Sequence, residues 1–276
     1  MQPLVVQLIN DDGPDSPLFE PFVKGLIASS WIKELRVVVP ATDRSWIGSA
    51  LSKKGAVSVT TKKIENCEVR LVSGTPADCA NLGIFSLFPS PPDLVISGPN
   101  LGQNSGGPFT IASGTLGGAM IASLGGVPAI AVSTELTPEI WDNFNNNRPD
   151  IVAKEWSLEF QNIAAISVSV VERSLIAKLN KLGVVVNINL PWGVNLESEL
   201  VITKVQPGSL PSFFALGEDG LYRHSFTFPG FDSDPTQKLD HDCIVQKKVS
   251  ISLLKPMHAN LDIDTEQEQG LLERLK

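Results

Sequence analysis

Four short apolar runs, each breaking off into a polar loop, constrain this chain more than any other feature of its sequence. The run at 4–9 ends in Asn10-Asp11-Asp12-Gly13, and the run at 35–40 ends in Ala41-Thr42-Asp43-Arg44-Ser45. The run at 68–73 leads into Gly74-Thr75-Pro76-Ala77-Asp78, and the run at 92–97 into a glycine-rich loop ending at Gly106. A run of this length bounded by turn residues reads as a strand buried on both faces, the kind found in parallel sheets. Between the first two lies the stretch 17–30, with Leu18, Phe22, Leu26 and Ile27 at near-helical spacing. Strand, helix and strand in succession make a βαβ unit. Further strands at 57–61 and 128–133, and helices at 76–88 and 113–124, carry the alternation to about residue 135. The expected fold class is α/β with a mostly parallel sheet.

Beyond that point a long helical stretch covers 148–182 and a strand covers 184–190. Strand-like segments at 199–206, 221–227 and 244–253, joined by Gly, Pro and Asp, predict an antiparallel extension or hairpin arm. The 276 residues are 42% hydrophobic and 19% charged, as a folded chain requires. The expected organisation is one domain over 1–260, with its core at about 1–200 and the extension at about 200–260, followed by a tail or linker at 261–276.

The net charge of −8 argues against broad binding to nucleic acid, which needs a basic surface. Cys67, Cys79 and Cys243 lack metal-ligand spacing and cannot build a disulfide framework, so they read as free thiols of a reducing compartment. The first residues carry no basic region ahead of an apolar stretch, and no apolar run reaches the length of a membrane span. The expectation is a soluble, cytoplasmic protein.

In open parallel sheets, ligands bind beyond the carboxyl ends of strands, where these loops would lie. Two adjacent carboxylates repel unless a positive charge stands between them, and a hard divalent cation, Mg2+ or Mn2+, does this through oxygen ligands. Asp11 and Asp12 supply two carboxylates, while Ser45 and Asn100 offer neutral oxygens. The same tetrapeptide also reads as a plain turn with capping aspartates. Ser113-Gly114-Thr115 opens a helix and offers N–H groups, hydroxyls and a favourable dipole to a phosphate. Asn104 can add a side-chain amide. An ordinary helix cap with small residues for close packing explains that segment too. No dinucleotide G-x-G-x-x-G fingerprint and no P-loop are present. His224, His241 and His258 have no metal spacing and read as surface or interface residues. Trp46 can wall the site and stack a base, or simply pack.

In company, these residues resemble the SurE-type metal-dependent phosphatases and nucleotidases. The family pattern N-D-D-G, P-x-x-x-R-S, S-G-T-P-x-D-C, S-G-x-N-x-G-x-N and S-G-T has its counterpart in order from Asn10 to Thr115. Val186-Asn187-Ile188-Asn189-Leu190-Pro191 resembles the family's later N-I-N-x-P strand. The resemblance implies a Rossmann-like three-layer core with a C-terminal extension that assembles a homodimer or tetramer. It implies a divalent metal held by Asp11, Asp12, Ser45 and Asn100, and a phosphate held by Asn104, Ser113, Gly114 and Thr115. Asp11 or Asp12 would also serve as the catalytic base. The implied substrates are nucleoside 5′- and 3′-monophosphates and other phosphomonoesters. Pro99, and the absence of a tyrosine just before Ser113, resemble the fungal branch, some members of which are called acid phosphatases. The family's C-terminal G-Y-V-S-x-T-P-L is altered here to Lys247-Lys248-Val249-Ser250-Ile251-Ser252-Leu253-Leu254. In some fungi this domain is joined to a tubulin-tyrosine-ligase-like domain of a P-body protein, so a catalytically weak binding or scaffold module is the alternative expectation.

Overall fold

The structure is a computed structural model and describes residues 2–145, 149–181, 183–225, 228, 230–234 and 236–256. The first half alternates as its patterning demands. In order come β1 (Leu4–Ile9), α1 (Phe19–Ile27), β2 (Ile32–Pro40), β3 (Val59–Ile64), β4 (Cys67–Val72) and α2 (Pro76–Phe85). They are followed by β5 (Leu94–Leu101), α3 (Gly106–Ala112), α4 (Gly114–Leu124) and β6 (Ala129–Thr134). The second half holds α5 (Pro138–Asn145), α6 (Pro149–Glu155), α7 (Ser157–Ile176), β7 (Val185–Leu190) and β8 (Leu200–Thr203). Four short strands then follow: β9 (Gly208–Ser209), β10 (Phe214–Leu216), β11 (Tyr222–His224) and β12 (Gly230–Phe231). Last come α8 (Asp240–Val245) and β13 (Val249–Leu254).

Nine strands form one sheet in the order β3-β4-β2-β1-β5-β6-β7-β13-β8. From β4 to β7 every neighbouring pair is parallel. Alternate residues of a strand face opposite sides, so Leu8 joins the apolar cluster under α1 and α7 while Ile9 joins the one under α2 and α4. The result is a three-layer, Rossmann-like α/β fold. Thr75 starts α2 with a capping box, its hydroxyl accepting from Asp78 N and the Asp78 carboxylate accepting from Thr75 N. Thr75→Ala is expected to cost about 1 kcal/mol, read as a Tm lower by about 2–4 °C in thermal unfolding.

Several boundaries differ from the sequence reading. The helical stretch at 148–182 is interrupted at Trp156, which caps α7, and α7 gives way at Lys178, whose φ of 56° is left-handed. The strand expected over 244–253 begins only at Val249, because residues 240–245 form α8. Asp240 and Asp242 lie in the first turn of α8, where the helix dipole favours carboxylates, and Lys247 at φ 59° turns the chain into β13. The expected C-terminal extension divides in two: β13 pairs antiparallel with β7 and β8 pairs parallel with β13, and both enlarge the main sheet. Outside it stand the antiparallel pairs β10–β11 and β9–β12. β11 lies within the strand expected over 221–227, of which residues 226 and 227 are outside the described residues. The tail at 261–276 and His258 also lie outside them.

Candidate active site

The chain leaves β1 toward β2 on one side, and β5 leads to β6 on the other, so the crevice beyond the carboxyl ends of β1 and β5 is the topological switch point. Asp11 and Asp12 follow β1 directly into it. Gly13 holds φ 76°, a left-handed turn that frees the chain to leave the strand at once. Asp11 is 2% exposed and Asp12 half-buried. The N-terminus of α4 meets Asp11: Thr115 Oγ1 donates to Asp11 Oδ1 at 2.6 Å. Leu101 N, at the end of β5, donates to Asp12 Oδ2 at 2.8 Å.

These bonds do not neutralise the pair. Burial pushes the Asp11 carboxyl up to about 6, against the pull of its bonds to Thr115. Burial and then the charge of Asp11 push Asp12 up as well. Neither forms an ion pair among the described residues. Arg44 donates its backbone N–H to Asp11 O at 2.8 Å, but its guanidinium reaches Ser73 O instead, at 3.3 Å. Two crowded carboxylates with no cationic partner, beside amide and hydroxyl oxygens, are a hard donor set that fits a small divalent cation. Among the described residues no cluster of three or more His, Cys, Asp or Glu could hold an ion, so neutral oxygens would have to complete the set.

The remaining candidates converge on the same edge by different routes. Asn100, 8% exposed, turns its Nδ2 to Gly102 O at 2.6 Å and leaves Oδ1 as the free end. Ser45 is exposed, and its Oγ donates to Asp43 Oδ1 at 2.6 Å, which leaves its lone pairs available. Ser113 caps α4 by accepting from Leu116 N at 3.0 Å. A Cβ on Gly114 would come within 2.9 Å of both Asp11 Oδ2 and Arg44 O, so the helix N-terminus touches the carboxylate only because that residue has no side chain. Asn104 Nδ2 donates to Ser133 Oγ at 2.8 Å and to Thr115 Oγ1 at 3.3 Å.

Two contributors were not singled out from sequence. Asp43 orients Ser45 and adds a third negative charge near Asp11 and Asp12; an Asp two residues before a Ser is a turn signal that could have found it. Asp240 anchors the far end of the glycine-rich loop, its Oδ2 accepting from Gly106 N at 2.9 Å, and has no local signal. Trp46 is 38% exposed, and its ring meets Phe109, Phe213 and His224 at 5.1–6.1 Å.

A doubly wound α/β unit with paired carboxylates and a hydroxyl-bearing helix N-terminus at its switch point belongs to the Rossmann-like α/β proteins. Residues 6–209 match the family described as "Survival protein SurE". The chain belongs to the SurE family. It is 34% identical over 203 residues to a 5'-nucleotidase SurE of Methanococcus vannielii, covering 73% of this chain and 72% of that protein. It is 41% identical over 131 residues to a 5'-nucleotidase SurE of Methanopyrus kandleri, an alignment spanning 48% of this chain and about half, 49%, of that relative's length. The SurE protein from Aquifex aeolicus shares the fold, with a TM-score of 0.66 over 98% of both chains at 24% identity.

Proposed function

We propose that this protein is a divalent-cation-dependent phosphomonoesterase that hydrolyses nucleoside 5′- and 3′-monophosphates and other phosphomonoesters. The observation that carries the reading is the Asp11–Asp12 pair at the switch point, with Asp11 buried against the N-terminus of α4, Asp12 half-buried at the end of β5, and neither in an ion pair among the described residues. Membership of the SurE family and relatives named as 5'-nucleotidases support it. Asp11, Asp12, Ser45 and Asn100 would hold the cation, Mg2+ or Mn2+. When bound, such an ion supplies charge neutralisation at the phosphoryl group and a more acidic water. Asn104, Ser113, Gly114 and Thr115 would seat the phosphate, with the N–H groups and dipole of α4 facing the charge on its oxygens. The carboxylate of Asp11 or Asp12 would take the proton of the attacking water.

We read residues 1–260 as one catalytic unit. Its exposed hairpin β10–β11, with Phe214, Leu216 and Tyr222 each 62–69% exposed, would join two or four copies. Among the described residues no helix is long and apolar enough to cross a membrane. The three cysteines are free, which fits a reducing, cytoplasmic setting. Nothing in the site or the comparisons favours a scaffold module.

The test is phosphate release from a panel of mononucleotides and simple phosphomonoesters. Turnover is expected with Mg2+ or Mn2+, is expected to vanish in chelator, and should return when the metal is restored. Release that is indifferent to chelator, or absent with every metal and substrate, would refute the assignment.

A further inference from the structure

We propose that Asn187 and Asn189 of β7 are positioning residues that hold Asn104 in place for the reaction. The proposal rests on the phosphatase reading above. β7 lies inside the sheet between β6 and β13. Such strands normally bury apolar side chains on both faces. Val186, Ile188 and Leu190 do so toward the α1–α7 layer. On the opposite face the strand places two asparagines two residues apart, both 0% exposed.

Their polar atoms go to one residue in a distant loop. Asn104 N donates to Asn189 Oδ1 at 2.7 Å. Asn104 O accepts from Asn187 Nδ2 at 3.0 Å and from Asn189 Nδ2 at 3.4 Å. Both main-chain polar groups of Asn104 are therefore held by side chains of a strand more than 80 positions later in sequence. The side chain is fixed as well. Thr115 Oγ1 gives its one proton to Asp11, so it must accept from Asn104 Nδ2, and Ser133 takes the other bond. Ser133 is the register partner of Asn189 on the adjacent strand.

Fold stability alone does not account for this arrangement. Asn187 Oδ1 is buried with no hydrogen-bond partner among the described residues, and a buried unpaired carbonyl opposes folding. An apolar residue there would remove that unpaired group. What the asparagine provides is one more bond on the Asn104 carbonyl. A group meeting phosphate has to be held to a fraction of an ångström, and a misplacement of about 1 Å costs on the order of 100-fold in rate.

The experiment uses Asn187→Leu, Asn189→Leu and a double-mutant cycle of Asn187→Leu with Asn104→Ala. Asn187→Leu is expected to keep or raise Tm and to keep the Tm rise produced by Mg2+ or Mn2+, since the Asp11 and Asp12 side chains are untouched. It is expected to lower kcat about 100-fold with KM little changed. In the Asn104→Ala background the same substitution should have little further effect. Hydrogen exchange gives a readout without turnover: the Asn104 amide should be protected in the wild type and exchange freely in Asn189→Leu. Should Asn189→Leu fail to fold, the wild-type protection and the Asn187→Leu cycle still decide. Wild-type kcat in Asn187→Leu, additive losses in the cycle, or an unprotected Asn104 amide in the wild type would each overturn the proposal. A wild-type protein with no metal-dependent turnover but a protected Asn104 amide would overturn the phosphatase reading and leave the clamp standing.

Discussion

Asp11→Asn is expected to reduce metal-dependent phosphate release by on the order of 1,000-fold or more without destabilising the protein. The substitution keeps the size of the side chain and an oxygen to accept the Thr115 hydroxyl, now at 2.6 Å. What disappears is the negative charge, which the proposed cation needs and burial opposes. The stability side has a definite sign. The unfolded carboxyl titrates near 3.8, and burial raises the folded one to about 6. Between those values the folded protein binds more protons than the unfolded chain. In chelator, this group therefore makes wild-type stability fall as pH rises through the window from 3.8 to about 6 and level off above it. The variant should lack that contribution, and at pH 7 in chelator its Tm should equal or exceed that of the wild type. Adding Mg2+ or Mn2+ should raise the wild-type Tm and leave the variant's nearly unchanged. Unchanged turnover would sink the role assigned to Asp11; a large fall in Tm would show that the carboxylate is structural.

Gly117→Ala is expected to damage stability and turnover together, because it separates two backbones that must touch. A Cβ at position 117 would stand 2.1 Å from Gly48 O, 2.4 Å from Gly48 C and 2.8 Å from Ser49 N. All three atoms are main chain, so no rotamer relieves the clash. The loop cannot simply swing out, since Gly48 N is tied to Ala112 O at 2.9 Å. Overpacking of this kind costs about 1–3 kcal/mol. The displaced segment is the one that carries Ser45 to the site, so a further loss of about 100-fold in kcat is expected, with weaker cation binding. Gly107→Ala is the control, because its Cβ would meet nothing nearer than Gln206 O at 3.8 Å. Comparable losses in the two variants would show that a general intolerance of alanine, and not this contact, is responsible.

The elements that could be read in the sequence are those whose patterning is local. The runs ending at Ile9 and Leu190 carry their own C-terminal boundaries, an apolar stretch and then a turn, and β1 and β7 end there; β5 instead runs on to Leu101, past the turn residues Gly98 and Pro99. Helix α3 was invisible because Gly106-Gly107-Pro108 reads as loop; its start is held by Asp240, 134 positions away. The same long-range tie explains α8: an apolar stretch near 244 satisfies a strand pattern, but Asp240 collects the N–H groups of Gly106, Gln206 and His241 and starts a helix.

The sequence by itself determined the α/β class, the order of the loops and the residue types they carry, because periodicity and turn chemistry act over a few residues. Which loops meet was decided by the order of the sheet. Only the placement of β1 beside β5, and of β7 beside β6, sets Asp11 against Thr115 and Asn104 against Asn187 and Asn189. Burial is likewise a property of the assembled layers. The two adjacent aspartates were visible from the start, but their raised pKa values arise only when sheet and helix take the water away.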